Sequence, residues 1–345
     1  MRKKRREKES LFLVLFISRP HIIYVMYVYL ATFRRELFTD IRKKTGGDFR
    51  EGLLAFFQEL PVYQATQLDN AMRGVGCNKD IITEVLCTAT DVEIRAIQHE
   101  HDGMFKQELA DRLEDELSGN VKLVFLNLLT ASRGPGQDVE ADVKALYKAG
   151  EGKLGTNKKV FIDFLTHHSR DYVETVSIAY QREHKHSLAK AIDSEFGGPL
   201  KKPLMTLATP LVEFYGNRLL VNFKRINLNE TELIRNVAAR KDLDLSEISA
   251  YLAKGGKSLL NLITEEVSND KLKRLLINIC TYFVKSPKQL EAERKAQADA
   301  ELKKAEAEAA DEEAREALAA AAKAAELARI DEENRRQAEL EVILL

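Results

Sequence analysis

Residues 114–120 read Glu-Asp-Glu-Leu-Ser-Gly-Asn, and the small-residue turn at Gly119 in this stretch is one of four that decide the fold. The others begin at Gly47, Gly198 and Asn269, so successive turns lie 72, 79 and 71 residues apart. A period of about 70 residues is typical of stacked or ring-packed supersecondary units. The sequence therefore predicts an array of repeats.

Each turn is followed by apolar residues at helical spacing, which places an apolar stripe along one helix face. These residues are Leu53, Leu54, Phe56 and Phe57; Val124, Leu126, Leu128 and Leu129; Leu204, Met205 and Leu207; and Leu275, Leu276 and Ile279. Further apolar segments upstream of the turns indicate several helices per repeat, and strand signals are absent. The body of the chain is therefore predicted to be all-α.

The period divides the chain into segments that we expect to be structural units. They are an unassigned N-terminal segment (1–28), a partial repeat 1 (29–63), repeat 2 (64–133), repeat 3 (140–209), repeat 4 (210–285) and a C-terminal tail (286–345). The interval between the second and third turns is longer and contains Arg-Gly-Pro-Gly-Gln at 133–137. This composition predicts a loop that joins two halves of the array.

The N-terminal segment is strongly basic over 1–8 and mostly apolar over 11–30. Arg19, Pro20 and His21 interrupt the apolar run, which makes a membrane-spanning helix costly. A signal peptide would need a small-residue cleavage site, and no clear one follows. We therefore favour a divergent start over an anchor or a signal, which stay open as alternatives.

The C-terminal tail changes abruptly to Ala, Glu, Lys and Arg, which are residues that favour helix. Its large apolar residues keep no heptad register, so we expect a long solvated helix. A helix that binds a protein partner or associates with itself is the alternative.

Composition and motifs exclude several classes of protein. A net charge of −1 over 345 residues offers no basic field for nucleic acid. The three cysteines lack CxxC spacing, which indicates free thiols in a reducing compartment. The sequence contains no nucleophile elbow, P-loop or dinucleotide fingerprint, so we do not expect an enzyme.

Two glycine loops are each followed by a glutamate at one fixed distance. Glu116 lies 40 residues after Gly76, and Glu195 lies 40 residues after Gly155. A tight glycine turn can direct several backbone carbonyls toward one point, and a distant carboxylate can complete an oxygen cage for a hard cation such as Ca²⁺. Finding the same spacing twice within matched repeats predicts two calcium sites.

Three segments resemble repeats of the annexin family: residues 71–76 (Ala-Met-Arg-Gly-Val-Gly), 114–120, and 149–156 (Ala-Gly-Glu-Gly-Lys-Leu-Gly-Thr). The similarity extends from near Tyr29 to near Phe283 and leaves out the tail. It implies an annexin-like array of four multi-helix repeats, each with a glycine loop between its first two helices.

The same resemblance implies the calcium ligands. They would be the carbonyls of Met72, Gly74 and Gly76 with the carboxylate of Glu116, and the carbonyls of Gly150, Lys153 and Gly155 with the carboxylate of Glu195. Water and a lipid phosphate would complete each site, so that Ca²⁺ bridges the protein to an anionic, phosphatidylserine-like membrane. One carboxylate per site predicts weak affinity without lipid, roughly 10⁻⁵ to 10⁻³ M. Val75 and Leu154 would lie at the loop tips.

Repeats 1 and 4 depart from this pattern. Repeat 1 keeps only its second half and has Lys43 at its acidic position, so we expect no site of this type there. Repeat 4 has Arg-Ile-Asn-Leu-Asn at 225–229 in place of a glycine loop, although Glu265 and Glu266 lie near the carboxylate position. A site in repeat 4 is therefore not favoured.

These features predict calcium-dependent, reversible binding to anionic phospholipid by a cytoplasmic protein that associates peripherally with membranes. The alternative is a structural or scaffolding protein, associated with the cytoskeleton, that uses the charged tail as its partner site.

Overall fold

The computed structural model describes residues 19–74 and 76–284, and this part of the chain folds into helices joined by short loops. It contains no strand, and its one isolated parallel bridge joins Gly134 to His168. The predicted all-α class is confirmed. The predictions for the tail, for Val75 and for the chain before residue 19 concern residues outside the described ones.

The helices fall into four successive groups. Repeat 1 contributes α1 (Arg19–Phe33), α2 (Leu37–Lys44) and α3 (Gly47–Phe57). Repeat 2 contributes α4 (Leu60–Ala71), α5 (Lys79–Thr88), α6 (Asp91–Phe105), α7 (Leu109–Glu116) and α8 (Gly119–Leu129). Repeat 3 contributes α9 (Val139–Ala149), α10 (Lys158–His167), α11 (Arg170–His184), α12 (Leu188–Glu195), a 3₁₀ turn (Gly198–Leu200) and α13 (Lys201–Ala208). Repeat 4 contributes α14 (Leu211–Phe223), α15 (Glu230–Arg240), α16 (Leu245–Lys254), α17 (Leu259–Glu266) and α18 (Asp270–Phe283).

The repeated small-residue turns have a clear conformational cause. Gly47, Gly119 and Gly198 have φ of 58°, 60° and 66°, in the left-handed region where a Cβ is strained. Repeat 4 closes the same turn differently. Asn269 has φ −71° and caps α18 by accepting hydrogen bonds from two backbone N–H groups of that helix.

The apolar stripes meet in two separate cores. One core joins repeats 2 and 3, where α13 packs on α5 and α8 packs on α10. The other joins repeats 1 and 4, where α3 packs on α15 and α18. The first repeat thus pairs with the last, although they are farthest apart in sequence.

This pairing corrects one prediction about the loop at 133–137. The loop joins repeats 2 and 3, which share a core, so it does not link two halves of the array. It is tied down inside that half, because Gly134 donates to the carbonyl of His167 (2.9 Å) and accepts from the N–H of Ser169 (2.7 Å). Composition marks such a loop but carries no information about which repeats pack together.

A buried polar network crosses from one core to the other. Glu84 on α5 is 1% exposed, and its carboxylate accepts from Arg235 (2.9 and 2.8 Å) and from the amide of Asn236 (2.8 Å), both on α15. Arg218 on α14 lies 2.8 Å from the same carboxylate. Buried charges are tolerated when they are paired and hydrogen-bonded, as here.

No helix in the described part of the chain is long and apolar enough to cross a membrane. The last part of the apolar run at 11–30 belongs to α1, and residues 11–18 lie outside the described residues.

Candidate metal sites

Both glycine loops connect the first and second helices of their repeats and are closed in the same way. The repeat 2 loop runs between α4 and α5, and the N–H of Asn78 donates to the carbonyl of Ala71 (2.8 Å). The repeat 3 loop runs between α9 and α10, where Asn157 donates to Ala149 (2.7 Å). These bonds fix the distance between the helix ends, so each loop must turn sharply.

Glycine provides those turns. Gly74 and Gly76 have φ of 85° and 89°, and Gly155 has φ of 80°. Side chains at these positions would be strained even though the space beside each Cα is open. The predicted ligand positions thus coincide with backbone that only glycine adopts readily.

In repeat 2, one cationic side chain already spans two of the predicted ligands. Arg112 on α7 donates from Nη2 to the carbonyl of Met72, and its Nη1 lies 3.3 Å from Oε1 of Glu116. The side chains of Arg112 and Glu116 are only 24% and 20% exposed. The carbonyl of Met72 and the carboxylate of Glu116 therefore converge closely enough to share one positive charge.

In repeat 3, the carboxylate reaches the loop without an arginine. A Cβ added at Gly150 would lie 3.3 Å from Cγ of Glu195, so the glycine admits the glutamate. Thr156 donates to Oε2 of Glu195 (2.6 Å) and holds it there. The carbonyl of Gly150 accepts a long bond of 3.2 Å from the N–H of Lys153.

The repeat 3 loop is anchored from below by Glu151. Its Oε2 accepts from the hydroxyl of Tyr180 (2.5 Å) and lies 3.0 Å from Nε2 of His186. Burial raises the pKa of Glu151, but the bonds from Tyr180 and His186 and the charge of His186 outweigh burial and leave the pKa below its usual value. Glu151 thus stays ionised and braces the residue next to Gly150.

The donor set fits a hard cation such as Ca²⁺. Each loop brings backbone carbonyls and one carboxylate together, and oxygen ligands are what Ca²⁺ prefers. Among the described residues, no group of three or more His, Cys, Asp or Glu side chains could hold a metal. Cys77 adds no charge, because burial and the nearby Glu116 raise the pKa of its thiol.

The four helices that carry the acidic position share one design. α2, α7, α12 and α17 each have eight residues and begin with leucine. Their last residues are Lys44, Glu116, Glu195 and Glu266. The equivalent of Glu116 in repeat 1 is therefore Lys44 and not Lys43, and the cation there leaves no carboxylate for a site.

Repeat 4 has the carboxylate without the loop. None of residues 224–229 has a positive φ. Glu266 is exposed, and the neighbouring Glu265 pairs with Lys257. The carbonyls of this loop lack the glycine conformations found in repeats 2 and 3, which agrees with the expectation that repeat 4 holds no site of this type.

Two residues of these sites were missed from the sequence. Arg112 lies four positions before Glu116, which is the spacing of an ion pair on one helix face and could have been noticed. Thr156 directly follows Gly155, but its bond to Glu195 depends on how α12 packs against the loop.

A protein-family model described as Annexin matches residues 63–128 and 141–207. Human annexin A13 is 33% identical over 258 residues, which cover 72% of this chain and 81% of that protein. Annexin A7 of Dictyostelium discoideum is 35% identical over 258 residues, covering 72% and 55%. Among solved structures, annexin III matches with a TM-score of 0.74 and 25% identity, covering 79% of this chain and 88% of that one. Calcium-bound annexin (Sm)1 shares the fold, with a TM-score of 0.68 and 21% identity over 78% and 83%.

Proposed function

This chain belongs to the annexin family, and from that membership we propose that it binds anionic phospholipid membranes reversibly through Ca²⁺ held in repeats 2 and 3. Members of the family are generally calcium-dependent phospholipid-binding proteins. We further propose that it acts by bridging, without catalysis, as a cytoplasmic protein at the membrane surface.

The observation that carries the proposal is the convergence of a carbonyl and a carboxylate on one cation in repeat 2. Arg112 spans Met72 and Glu116, so the loop already accommodates positive charge between these oxygens. Repeat 3 supports it independently, because Glu195 is held against Gly150 by Thr156.

The charge balance of each loop suits an anionic headgroup. Bound Ca²⁺ would supply two positive charges against one carboxylate, leaving a net positive charge for a lipid phosphate. In repeat 3 the exposed Lys153, Lys158 and Lys159 add to that charge. Leu154, fully exposed at the tip, could enter the membrane interface.

Two loops on one rigid body make weak contacts effective. Repeats 2 and 3 share one core, so their loops keep a fixed relation. When one loop is bound, the second binds at high effective concentration, and the combined affinity exceeds either alone.

The test is cosedimentation with liposomes of phosphatidylcholine, with or without phosphatidylserine, each in Ca²⁺ and in chelator. Wild type should pellet only with Ca²⁺ and phosphatidylserine. Glu116→Gln with Glu195→Gln should abolish this binding while helix content by circular dichroism stays unchanged, because each change removes the only carboxylate of a predicted site.

Glu266→Gln is the matched control, since it makes the same change at the same helix position of a repeat that lacks the loop. It should bind as wild type does. Calcium-dependent pelleting by the double variant would overturn the assignment of these two sites.

A further inference from the structure

Two large apolar side chains of the described residues are fully exposed, and they occupy equivalent positions. Leu154 is 104% exposed and Ile226 is 102% exposed, whereas the next, Tyr27, is 71% exposed. Leu154 lies three residues before Asn157, the N-cap of α10, and Ile226 lies three residues before Asn229, the N-cap of α15. The equivalence indicates a shared role for the two loop tips.

The repeat 4 loop keeps its shape without a cation. Asn222 is completely buried at the end of α14. Its side-chain amide donates to the carbonyl of Asn229 (2.9 Å) and accepts from the N–H of the same residue (2.9 Å). Arg225 also donates to Glu232 (2.8 Å). Side chains therefore perform the bracing that glycine turns and a bound ion would perform in repeats 2 and 3.

The charges beside Ile226 identify what the loop contacts. Lys224 and Arg225 precede it and are both exposed. An apolar tip flanked by cations fits the interface of an anionic bilayer, where the apolar group enters the acyl boundary and the cations meet the headgroups. A protein partner would be expected to cover a broader apolar patch than one side chain.

We propose that Ile226, with Lys224 and Arg225, forms a calcium-free third contact with the anionic membrane. This inference rests on the proposed function, because one apolar tip binds too weakly alone and needs the calcium loops of repeats 2 and 3 to bring it to the bilayer.

The chain contains no tryptophan, so single substitutions give clean fluorescent reporters. Ile226→Trp, Leu154→Trp and Ile178→Trp are compared with phosphatidylserine vesicles that carry brominated acyl chains. Ile178 is 64% exposed but lies in the middle of α11, away from any loop. Trp fluorescence at positions 226 and 154 should shift to the blue and be quenched at the same Ca²⁺ concentration, and at 178 neither should occur.

Binding affinity gives a second readout. Ile226→Asn should weaken calcium-dependent vesicle binding about fivefold, as expected for partial burial of one aliphatic side chain. Ile178→Asn should leave it unchanged.

The outcomes separate this inference from the function on which it rests. A shift at position 154 without one at 226 overturns the third contact and leaves calcium bridging intact, as would be found if Ile226 binds a protein instead. If no reporter responds and wild type does not bind, both proposals fail together.

Discussion

Arg112 is the fourth residue of α7, and the equivalent residue of α12 is the buried Ala191. The two candidate sites therefore differ at the position that faces the glutamate from one turn away. In repeat 2 a permanent cation is already bonded to two predicted ligands, and a calcium ion would have to displace it. Arginine cannot reduce this competition by losing its proton.

We expect Arg112→Ala to tighten calcium binding by repeat 2 about tenfold, because a hydrogen bond to a charged group and a competing charge are both removed. Calorimetric titration in a Glu195→Gln background isolates that site. The same variant in chelator should have a lower melting temperature, since Arg112 links α7 to the end of α4.

Arg112→Lys is the control, because it keeps a competing charge at the same position. Its calcium affinity should stay close to that of wild type. Equal affinities for the alanine variant and wild type would show that Arg112 does not occupy the cation position.

Among the helical elements, α2 shows how repeat 1 is held without its first two helices. Asp40 is 6% exposed, and its Oδ2 accepts from the hydroxyl of Tyr29 on α1 (2.8 Å) and from Nζ of Lys44 (3.0 Å). Nε of Arg35 lies 3.3 Å away. Burial raises the pKa of Asp40, but these hydrogen bonds and positive charges outweigh burial and hold the pKa below its usual value.

We expect Asp40→Asn to lower the free energy of unfolding by about 1 to 3 kcal/mol at pH 7, because the charge-assisted bonds are lost. The folded pKa of Asp40 lies below the unfolded one, so its stabilisation is complete above about pH 4 and is lost as the pH falls through the folded value. Urea denaturation at pH 7 and at pH 3 measures the difference.

The gap between wild type and Asp40→Asn should narrow at the lower pH. Lys43→Gln removes a charge next to Lys44 on the exposed face of α2 and should change stability little. A gap that is equal at both pH values would contradict the role given to the ionised carboxylate.

At the scale of the whole molecule, two cores are joined by polar contacts. Glu84 receives Arg235 and Asn236 from repeat 4, and the hydroxyls of Thr88 and Tyr215 lie 3.0 Å apart across the same boundary. The charged members of this network are almost completely removed from water. Their pairing therefore determines whether the two halves stay together.

We expect Glu84→Gln to lower the free energy of unfolding by about 3 to 5 kcal/mol, because Arg235 would remain buried without its counter-charge. Denaturant unfolding followed by circular dichroism measures the change. Asp163→Asn breaks the exposed pair with Lys159 and should change stability by less than about 0.5 kcal/mol. A similar small effect for both variants would exclude the network as a joint between the halves.

The scaffolding alternative depends on the tail at 286–345, which lies outside the described residues, and it stays a prediction. The same holds for the interpretation of residues 1–18 as a divergent start.

By itself, the sequence determined the all-α class, the repeat turns and the loops. Local backbone chemistry fixes these features, since Gly47, Gly119 and Gly198 adopt a conformation that other residues avoid. The glutamates could be assigned for the same reason, because they end helices of equal length that begin at equivalent leucines.

Only the tertiary structure decided which repeats share a core, which cation lies between Met72 and Glu116, and which side chains brace the repeat 4 loop. Apolar stripes are alike in all four repeats, so any pairing would bury them. The choice between repeats 1 and 4 and repeats 2 and 3 depends on contacts between helices distant in sequence, such as Glu84 with Arg235, and no local pattern encodes those contacts.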